Sequence, residues 1–379
     1  MSIDYTHGYR SSFYATILDA GSWSENKRLE IINGSVDRTN SDLRQSAKMT
    51  MTSYDQTEEL WIRVYMDARQ GQDISHDAIF TGIATSPSKK IDGNVTKQDI
   101  ECFSVLKPLQ DIILPRGWYI AAGSNAGDVL RELFQDTPAP NNLNDDDIRN
   151  NIPAITDYII AEDNDSELSM VDKVLKAIGW ELIIDGTGMI IVRPKQVEAA
   201  AKFGVTTDIV EKTIDVKKDW FSCPNIFRAT SDDVVAIARD DNPYSYLSTV
   251  GRGRDVIAVE NDVTLNNGEG LAEYAERRLK EEQSVVEQIS YDRRFLPNIN
   301  IGDIVIFDYK QLTGTYKITS QTINLTYGGK TSEDAENAIT EIPLQTQIPV
   351  PAPARDGILI MPDEKALIIE DDKYLTIDL

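Results

Sequence analysis

The chain has 379 residues, 41% of them hydrophobic, with 62 Asp and Glu against 38 Lys and Arg, for a net charge of −24. This length and apolar content support two or three globular domains, while no apolar run approaches the ~20 residues that span a bilayer. The charge opposes binding to nucleic-acid phosphates and anionic membranes.

The opening residues, MSIDYTHGYR, lack the apolar stretch of a secretory signal, so synthesis and first folding in a cytoplasm are expected. Phe13 to Leu18 opens a series of strands. Arg28-Leu29-Glu30-Ile31 alternates and runs to a turn at Asn33-Gly34. Asp37 to Arg44 is compatible with a short helix. Gln45–Thr52, Leu60–Tyr65, Asp77–Ala84 and Asp99–Leu106 follow as strands, separated by turn clusters at Gln70-Gly71, Ser86-Pro87-Ser88 and Asp92-Gly93-Asn94. Residues 1–115 therefore read as an antiparallel sheet or barrel.

The period then changes. Ala126, Val129, Leu130, Leu133 and Phe134 mark one face of a helix capped by Asn125 and stopped at Pro138-Ala139-Pro140. Leu168, Val171, Val174, Leu175 and Ile178 mark a second, ended by Gly179, and Trp180–Ile184 with Met189–Val192 read as a hairpin. Residues 116–204 are thus a small α+β insert. Strands resume at Ile209–Val216, Asn225–Thr230, Val234–Arg239 and Ile257–Asn261. A helix from Gly270 to Gln283 interrupts them, with Leu271, Tyr274, Ala275 and Leu279 on its buried face and the pairs Glu273–Arg277 and Glu276–Lys280 outside. Val285–Tyr291, Asp303–Tyr309 and Tyr316–Leu325 complete this region. Within the last run, Tyr316, Ile318 and Ser320 should face inward and Lys317 outward.

Residues 336–356 are a proline-rich, extended linker. Residues 357–379 then repeat with a period of eight: GILIMPDE, KALIIEDD, KYLTIDL. Leu359, Leu367 and Leu375 coincide, as do Met361, Ile369 and Ile377. One copy cannot bury its own apolar face. Two arrangements remain open: the segment winds about an axis with its counterparts from other chains, or it forms a three-stranded meander on its own body.

Few residues point to chemistry. His7 and His76 are the only histidines and lie in unrelated contexts, which argues against a Ser-His-Asp triad, a Cys-His dyad or a multi-histidine zinc site. Cys102 and Cys223 sit in strand-like runs and read as buried free thiols. Asp145-Asp146-Asp147 and Glu162-Asp163-Asn164-Asp165 lack the spacing of a calcium loop. Gly251-Arg252-Gly253-Arg254 reads as a basic turn at an interface or in solvent, and Gly123-Ser124-Asn125-Ala126-Gly127 as a helix entry rather than a phosphate loop. Trp61, Trp118, Trp180 and Trp220 fall beside strands as expected core, and Trp23 as an exposed side chain. No residue is assigned to catalysis, cofactor binding or metal.

The region after residue 205 carries a resemblance. Pro224-Asn225 leads into a strand, and a helix ends Ala275-Glu276-Arg277-Arg278-Leu279. Leu296-Pro297-Asn298, Ile301-Gly302-Asp303 and Gly314-Thr315-Tyr316-Lys317-Ile318 follow in order. Gly302-Asp303 suits a tight turn before an outer strand, and Gly314 a hairpin. This order resembles the hub proteins of phage tails and related contractile particles. The stretch from Arg28 to Met51 resembles that family's opening strands, and the likeness covers roughly residues 10–330.

The resemblance implies a mainly β chain with an α+β insert: tail-tube-like β-barrel domains at 1–115 and 205–335, a small α+β domain between them, a linker, and a C-terminal octad-repeat β tail. It implies a non-enzymatic structural hub at the tail tip of a virion, assembled in the host cytoplasm. The hub would be a homotrimer that adapts a sixfold tube to a threefold tip and lines the DNA channel. Its partners would be tail-tube or distal tail proteins and a tail spike, fibre or tape-measure protein; it would need no cofactor, meet no membrane in the resting state and touch genomic DNA only in transit. In contractile phages the needle beyond the hub is often a separate octad-repeat protein, so the tail here would be a small fused needle with Leu359, Met361, Leu367, Ile369, Leu375 and Ile377 in its trimer core. A cell-wall hydrolase, which needs a cleft with a catalytic pair, and a receptor- or glycan-binding module with aromatics near Trp23 or Trp118 are the competing readings.

Overall fold

A computed structural model describes residues 3–5, 7–41, 43–52, 59–85, 88–92, 95–196, 198–204, 210–218, 220–231, 234–263, 270–284, 287–309, 311–338, 358–361, 365–370 and 373–378. Strand makes up 50% and helix 18%. Contacts divide the chain into a body, Met1–Ala338, and a second unit, Ile339–Leu379.

The first strands are β1 (Arg10–Leu18), β2 (Glu25–Thr39), β3 (Gln45–Thr52), β4 (Leu60–Gln70), β5 (Asp73–Ala84), β6 (Ser88–Asp92) and β7 (Val95–Ser104). They pair antiparallel in the order β1-β4-β5-β7-β3-β2, and β2 returns to β1, so six strands close into a barrel. β6 folds onto β7 outside that ring. Strand alternation places Ala47, Met49, Met51, Ile62, Val64 and Met66 in the barrel core. Closure needs glycine at 82, because a Cβ there would stand 2.0 Å from the Phe103 carbonyl oxygen across the β5–β7 pairing.

The insert contains α1 (Lys107–Asp111), β8 (Tyr119–Ile120), α2 (Ala126–Leu133), α3 (Asp146–Asn150), β9 (Ile159–Ile160), α4 (Glu167–Ile178), β10 (Trp180–Ile184) and β11 (Ile190–Pro194). The Asn125 side chain accepts the Asp128 N–H at 3.0 Å and starts α2. Gly179, at φ 70°, ends α4 in the left-handed conformation. Leu130, Leu133, Phe134, Leu168, Val171 and Leu175 then meet the β10–β11 hairpin in one core.

The third region holds β12 (Ala199–Gly204), β13 (Val210–Lys218), β14 (Ile226–Ser231), β15 (Val234–Arg239), α5 (Thr249–Arg252), β16 (Ile257–Glu260), α6 (Leu271–Ser284), β17 (Glu287–Arg293), β18 (Ile304–Tyr309), β19 (Leu312–Asn324) and β20 (Thr331–Asn337). Six of these strands run in the order β12-β18-β19-β20-β17-β13, with β12 parallel to β18. Among the described residues β12 and β13 do not pair. The core of this second barrel is aromatic: Phe203, Tyr291, Phe307 and Tyr316 meet edge to face, with ring centroids 4.9–6.2 Å apart.

Several local expectations give way to longer-range pairing. The sequence around Asn33-Gly34 is a bulge inside β2, not a turn, and residues expected as a helix from Asp37 extend β2 to Thr39 before a loop closed by Thr39 N–H to the Arg44 carbonyl at 2.9 Å. β14, β15 and β16 leave the barrel altogether. They form their own sheet, ordered β15-β14-β16, whose Phe227, Ala229 and Ala238 pack on Leu271, Tyr274, Ala275 and Leu279 of α6. Arg277 pairs with Glu281 rather than back to Glu273. Gly314 lies within β19 opposite Phe307; a Cβ there would come 2.9 Å from the Tyr316 ring, so it clears space for that ring instead of turning the hairpin. Gly302, at φ 83°, does make the turn into β18, but β18 is flanked on its far side by β12.

The second unit contains β21 (Ile358–Met361), β22 (Lys365–Glu370) and β23 (Lys373–Asp378), an antiparallel meander. Its register sets Leu359 opposite Leu367, and Leu375 opposite Ile368.

Candidate functional site

The two barrels share one sheet through two long strands. Ser35–Thr39 of β2 pairs with Ser320–Asn324 of β19. Each strand carries a register shift: β2 between Ile31 and Asn33, β19 between Ile318 and Ser320. Side chains alternate with period two, so one extra residue changes which of the alternating positions is buried beyond the bulge. Before it, Tyr316 and Ile318 enter the second core; after it, Gln321 and Ile323 are buried, and Ile323 joins the first core. Lys317 stays outside as expected, whereas Ser320, expected inside with Tyr316, is displaced by the shift.

A buried polar ladder crosses this seam. Arg38 donates to Gln321 Oε1 at 2.9 Å, to Asn300 Oδ1 at 3.0 Å and to the Ile79 carbonyl at 2.5 Å. Gln321 Nε2 donates to Glu333 at 2.6 Å, and Glu333 receives both Nε and Nη2 of Arg293, the former at 2.7 Å. Arg293 and Glu333 side chains are fully buried. Burial, with Arg293 nearby, pushes the Arg38 pKa down to about 10. Burial opposes the Arg293 charge as well, but the Glu333 carboxylate outweighs it and raises that pKa above the ordinary value. Such a paired charge adds little net stability but is costly to break, by about 3–5 kcal/mol.

The insert braces both barrels. At its hairpin tip the Gly186 carbonyl accepts Thr81 Oγ1 at 2.9 Å and the Thr187 carbonyl accepts Arg63 at 2.9 Å. No side chain fits at 186, where a Cβ would stand 1.8 Å from the Ala78 carbonyl oxygen. At the hairpin base Arg193 joins Glu181 at 3.0 Å and Asp303 at 2.8 Å. A recess of about 360 Å³ lies along this brace, with two ion pairs in its lining: Arg44 with Asp172, and Lys317 with Glu181.

Other residues singled out by sequence have structural roles. Cys102 and Cys223 are buried free thiols, and burial pushes the Cys102 thiol well up. His7 meets Asp4 at 2.7 Å and His76 meets Asp67 at 2.6 Å, far apart in the chain. Asp145 caps α3, and Asp165 holds Lys173 at 2.7 Å. No group of three or more metal-ligating side chains occurs among the described residues. Arg252 and Arg254 do not form an open basic turn: they donate to the carbonyls of Trp220, Phe221 and Cys223. Trp220 is exposed rather than core, while Trp23 is half-buried against Trp61, with ring centroids 5.4 Å apart. The packing of Leu359, Met361, Leu367, Ile369, Leu375 and Ile377 lies outside the described residues, as does the proline-rich linker from 339 on; its expected first residues, Glu336 and Asn337, instead end β20.

In the insert, Glu167 is buried at the start of α4. Burial and the neighbouring Asp136 carboxylate push its pKa up to about 7.

No protein-family model matches the chain. No curated protein matches it. Solved structures do. The 43 kDa tail protein of prophage MuSo2 from Shewanella oneidensis aligns over 86% of this chain and 96% of its own, at 12% identity and a TM-score of 0.59. The tail protein from Neisseria meningitidis MC58 aligns over 86% and 97%, at 13% identity and a TM-score of 0.61. A chain of the Francisella PdpA-VgrG complex aligns over 87% of this chain and 58% of its own, at 10% identity and a TM-score of 0.54. Paired barrels sharing a bulged seam, an α+β brace and a separate small sheet thus amount to the fold of prophage tail proteins.

Proposed function

We propose that this chain is the structural hub of a phage tail tip or baseplate, located in the virion and without chemistry of its own. The observation that carries the reading is the fusion of two six-stranded barrels through one shared sheet, in a fold common to prophage tail proteins. Three such chains present six barrels around one axis, which adapts a sixfold tail tube to a threefold tip. The net charge of −24 fits a lumen past which DNA slides, because a basic lining would hold DNA through counterion release. Tail-tube or distal tail proteins would stack on one end of the ring, and a spike, fibre or tape-measure protein would meet the other. The octad strands would extend the axis as a short needle with Leu359, Leu367 and Leu375 near it.

Native mass spectrometry of the purified chain and of assembled particles tests this reading. Three copies are expected, with Asp and Glu outnumbering Lys and Arg on the axial surface of the assembled ring. A chain that stays monomeric throughout assembly, or a ring with a net basic lumen, overturns it. Removing residues 357–379 should leave the trimer intact and open its tip.

A further inference from the structure

The small sheet has one covered face and one open face. Alternation turns Phe227, Ala229 and Ala238 toward α6 and the opposite set outward. Arg228 stands at the centre of the outward set, directly opposite Ile237 on β15 and Val259 on β16. Val235, Ile237, Ile257 and Val259 are 46–64% exposed, and Arg228 is exposed with no ion pair or hydrogen bond to its side chain among the described residues. A lone guanidinium ringed by apolar side chains is the composition of an interface centre.

The insert carries a face of opposite sign. Tyr119 and Ile160 are cross-strand partners in the β8–β9 pair, and with Tyr158 they are 46–66% exposed, while Ile120 and Ile159 are buried beneath. Beside Ile160 lies a recess of about 460 Å³ lined by Glu162, Asp163 and Arg116. Arg116 occupies Asp163 at 3.5 Å, and the Glu162 side chain has no partner among the described residues.

We infer that these two faces bind each other between copies of this chain: the Arg228 face of one copy covers the β8–β9 face of the next, and the Arg228 guanidinium enters the recess beside Glu162. Each chain bears one face of each kind, so the contact is heterologous and closes into a ring when the rotation allows. The ring's size rests on the trimeric reading; the pairing of the faces rests on their register, exposure and charge.

The test is a charge swap, read by sedimentation equilibrium and native mass spectrometry on the full chain. Arg228→Glu and Glu162→Arg, made singly, should each weaken association about tenfold or more, and the double swap should restore most of the loss. Ile237→Asp should dissociate the assembly without rescue. Unchanged thermal midpoints of the variants show that the fold is retained, since these side chains are exposed. A trimer indifferent to both single reversals, or a double variant no tighter than the weaker single one, overturns this contact and leaves the hub reading standing. A wild-type chain that never associates removes both.

Discussion

The two barrels solve the same architectural problem with different chemistry. The first closes on itself through β1 and β2 around a core mainly of aliphatic and Met side chains, with Phe13, Phe80 and Phe295 among them. In the second, β12 and β13 do not pair with each other among the described residues, and edge-to-face aromatics and a fully buried Arg293–Glu333 pair stand in the interior. A closed ring of backbone hydrogen bonds defines its own geometry, so a non-directional core suffices. An open one gains definition from directional contacts, namely ring quadrupoles and a bidentate ion pair. A closed ladder tolerates repacking, whereas an open barrel depends on particular side chains.

The sharpest way to break this comparison is within β19. Ile318→Asp places a carboxylate in the second core, where the native side chain is fully buried. It should unfold that barrel, while Lys317→Glu next to it should be tolerated. Equal effects in denaturant melts would show that the register is not the one described. Removing the Glu333 carboxylate is next. Glu333→Ala strands Arg293 and should cost about 3–5 kcal/mol in chemical denaturation, whereas replacing both with apolar residues should recover much of it. A loss under ~1 kcal/mol from Glu333→Ala would mean that directional pairing does not define the second barrel. The first barrel has its own weak point at closure: Gly82→Ala meets the Phe103 carbonyl and should cost about 1–3 kcal/mol, the range of an overpacked site. If it costs nothing, the β5–β7 seam is not tight.

The smallest effect concerns the insert that braces both barrels. Because the folded Glu167 pKa is raised to about 7 from 4.5, its stabilising contribution is full below the unfolded value and is lost as pH rises through 7. Glu167→Gln should therefore become more stable than wild type above pH 7, and the gap should shrink toward pH 4. A gap independent of pH would assign the effect to packing instead.

Much of the local structure was legible. The Asn125 cap, the Gly179 stop, the β10–β11 hairpin and the inward set Tyr316 and Ile318 follow from nearest neighbours and periodicity. What escaped depends on partners far away in sequence. β20 is absent from the expected strands because TSEDAEN has no apolar run, yet Thr331, Glu333 and Ala335 are its buried face; Glu333 is inside because Arg293 and Gln321 bond it there. The bulges in β2 and β19 leave no local signature, since they arise where each strand also pairs across the seam with the other barrel. The small sheet's separation from the barrel likewise depends on α6 covering it. The octads are plain in the sequence and fold as three strands, but a repeat does not say what it stacks on. The polar ladder was invisible because its members sit on four different strands.

The shared seam has a consequence for how this chain tolerates change in length. In β19 one surplus residue separates Ile318, in the second core, from Ile323, in the first; in β2 the surplus residue keeps Leu29 and Val36 in the same first core. Deleting a single residue near Thr319 would remove the bulge and leave Tyr316, Ile318, Gln321 and Ile323 at an uninterrupted two-residue spacing on one face, whereas a deletion elsewhere along the strand would turn the residues beyond it to the opposite face. Substitutions along these strands alter one contact at a time; a one-codon insertion or deletion away from the bulge exchanges whole faces. Variation in length should therefore collect in the chain's turns, and the two seam strands should keep their residue count even where their side chains diverge.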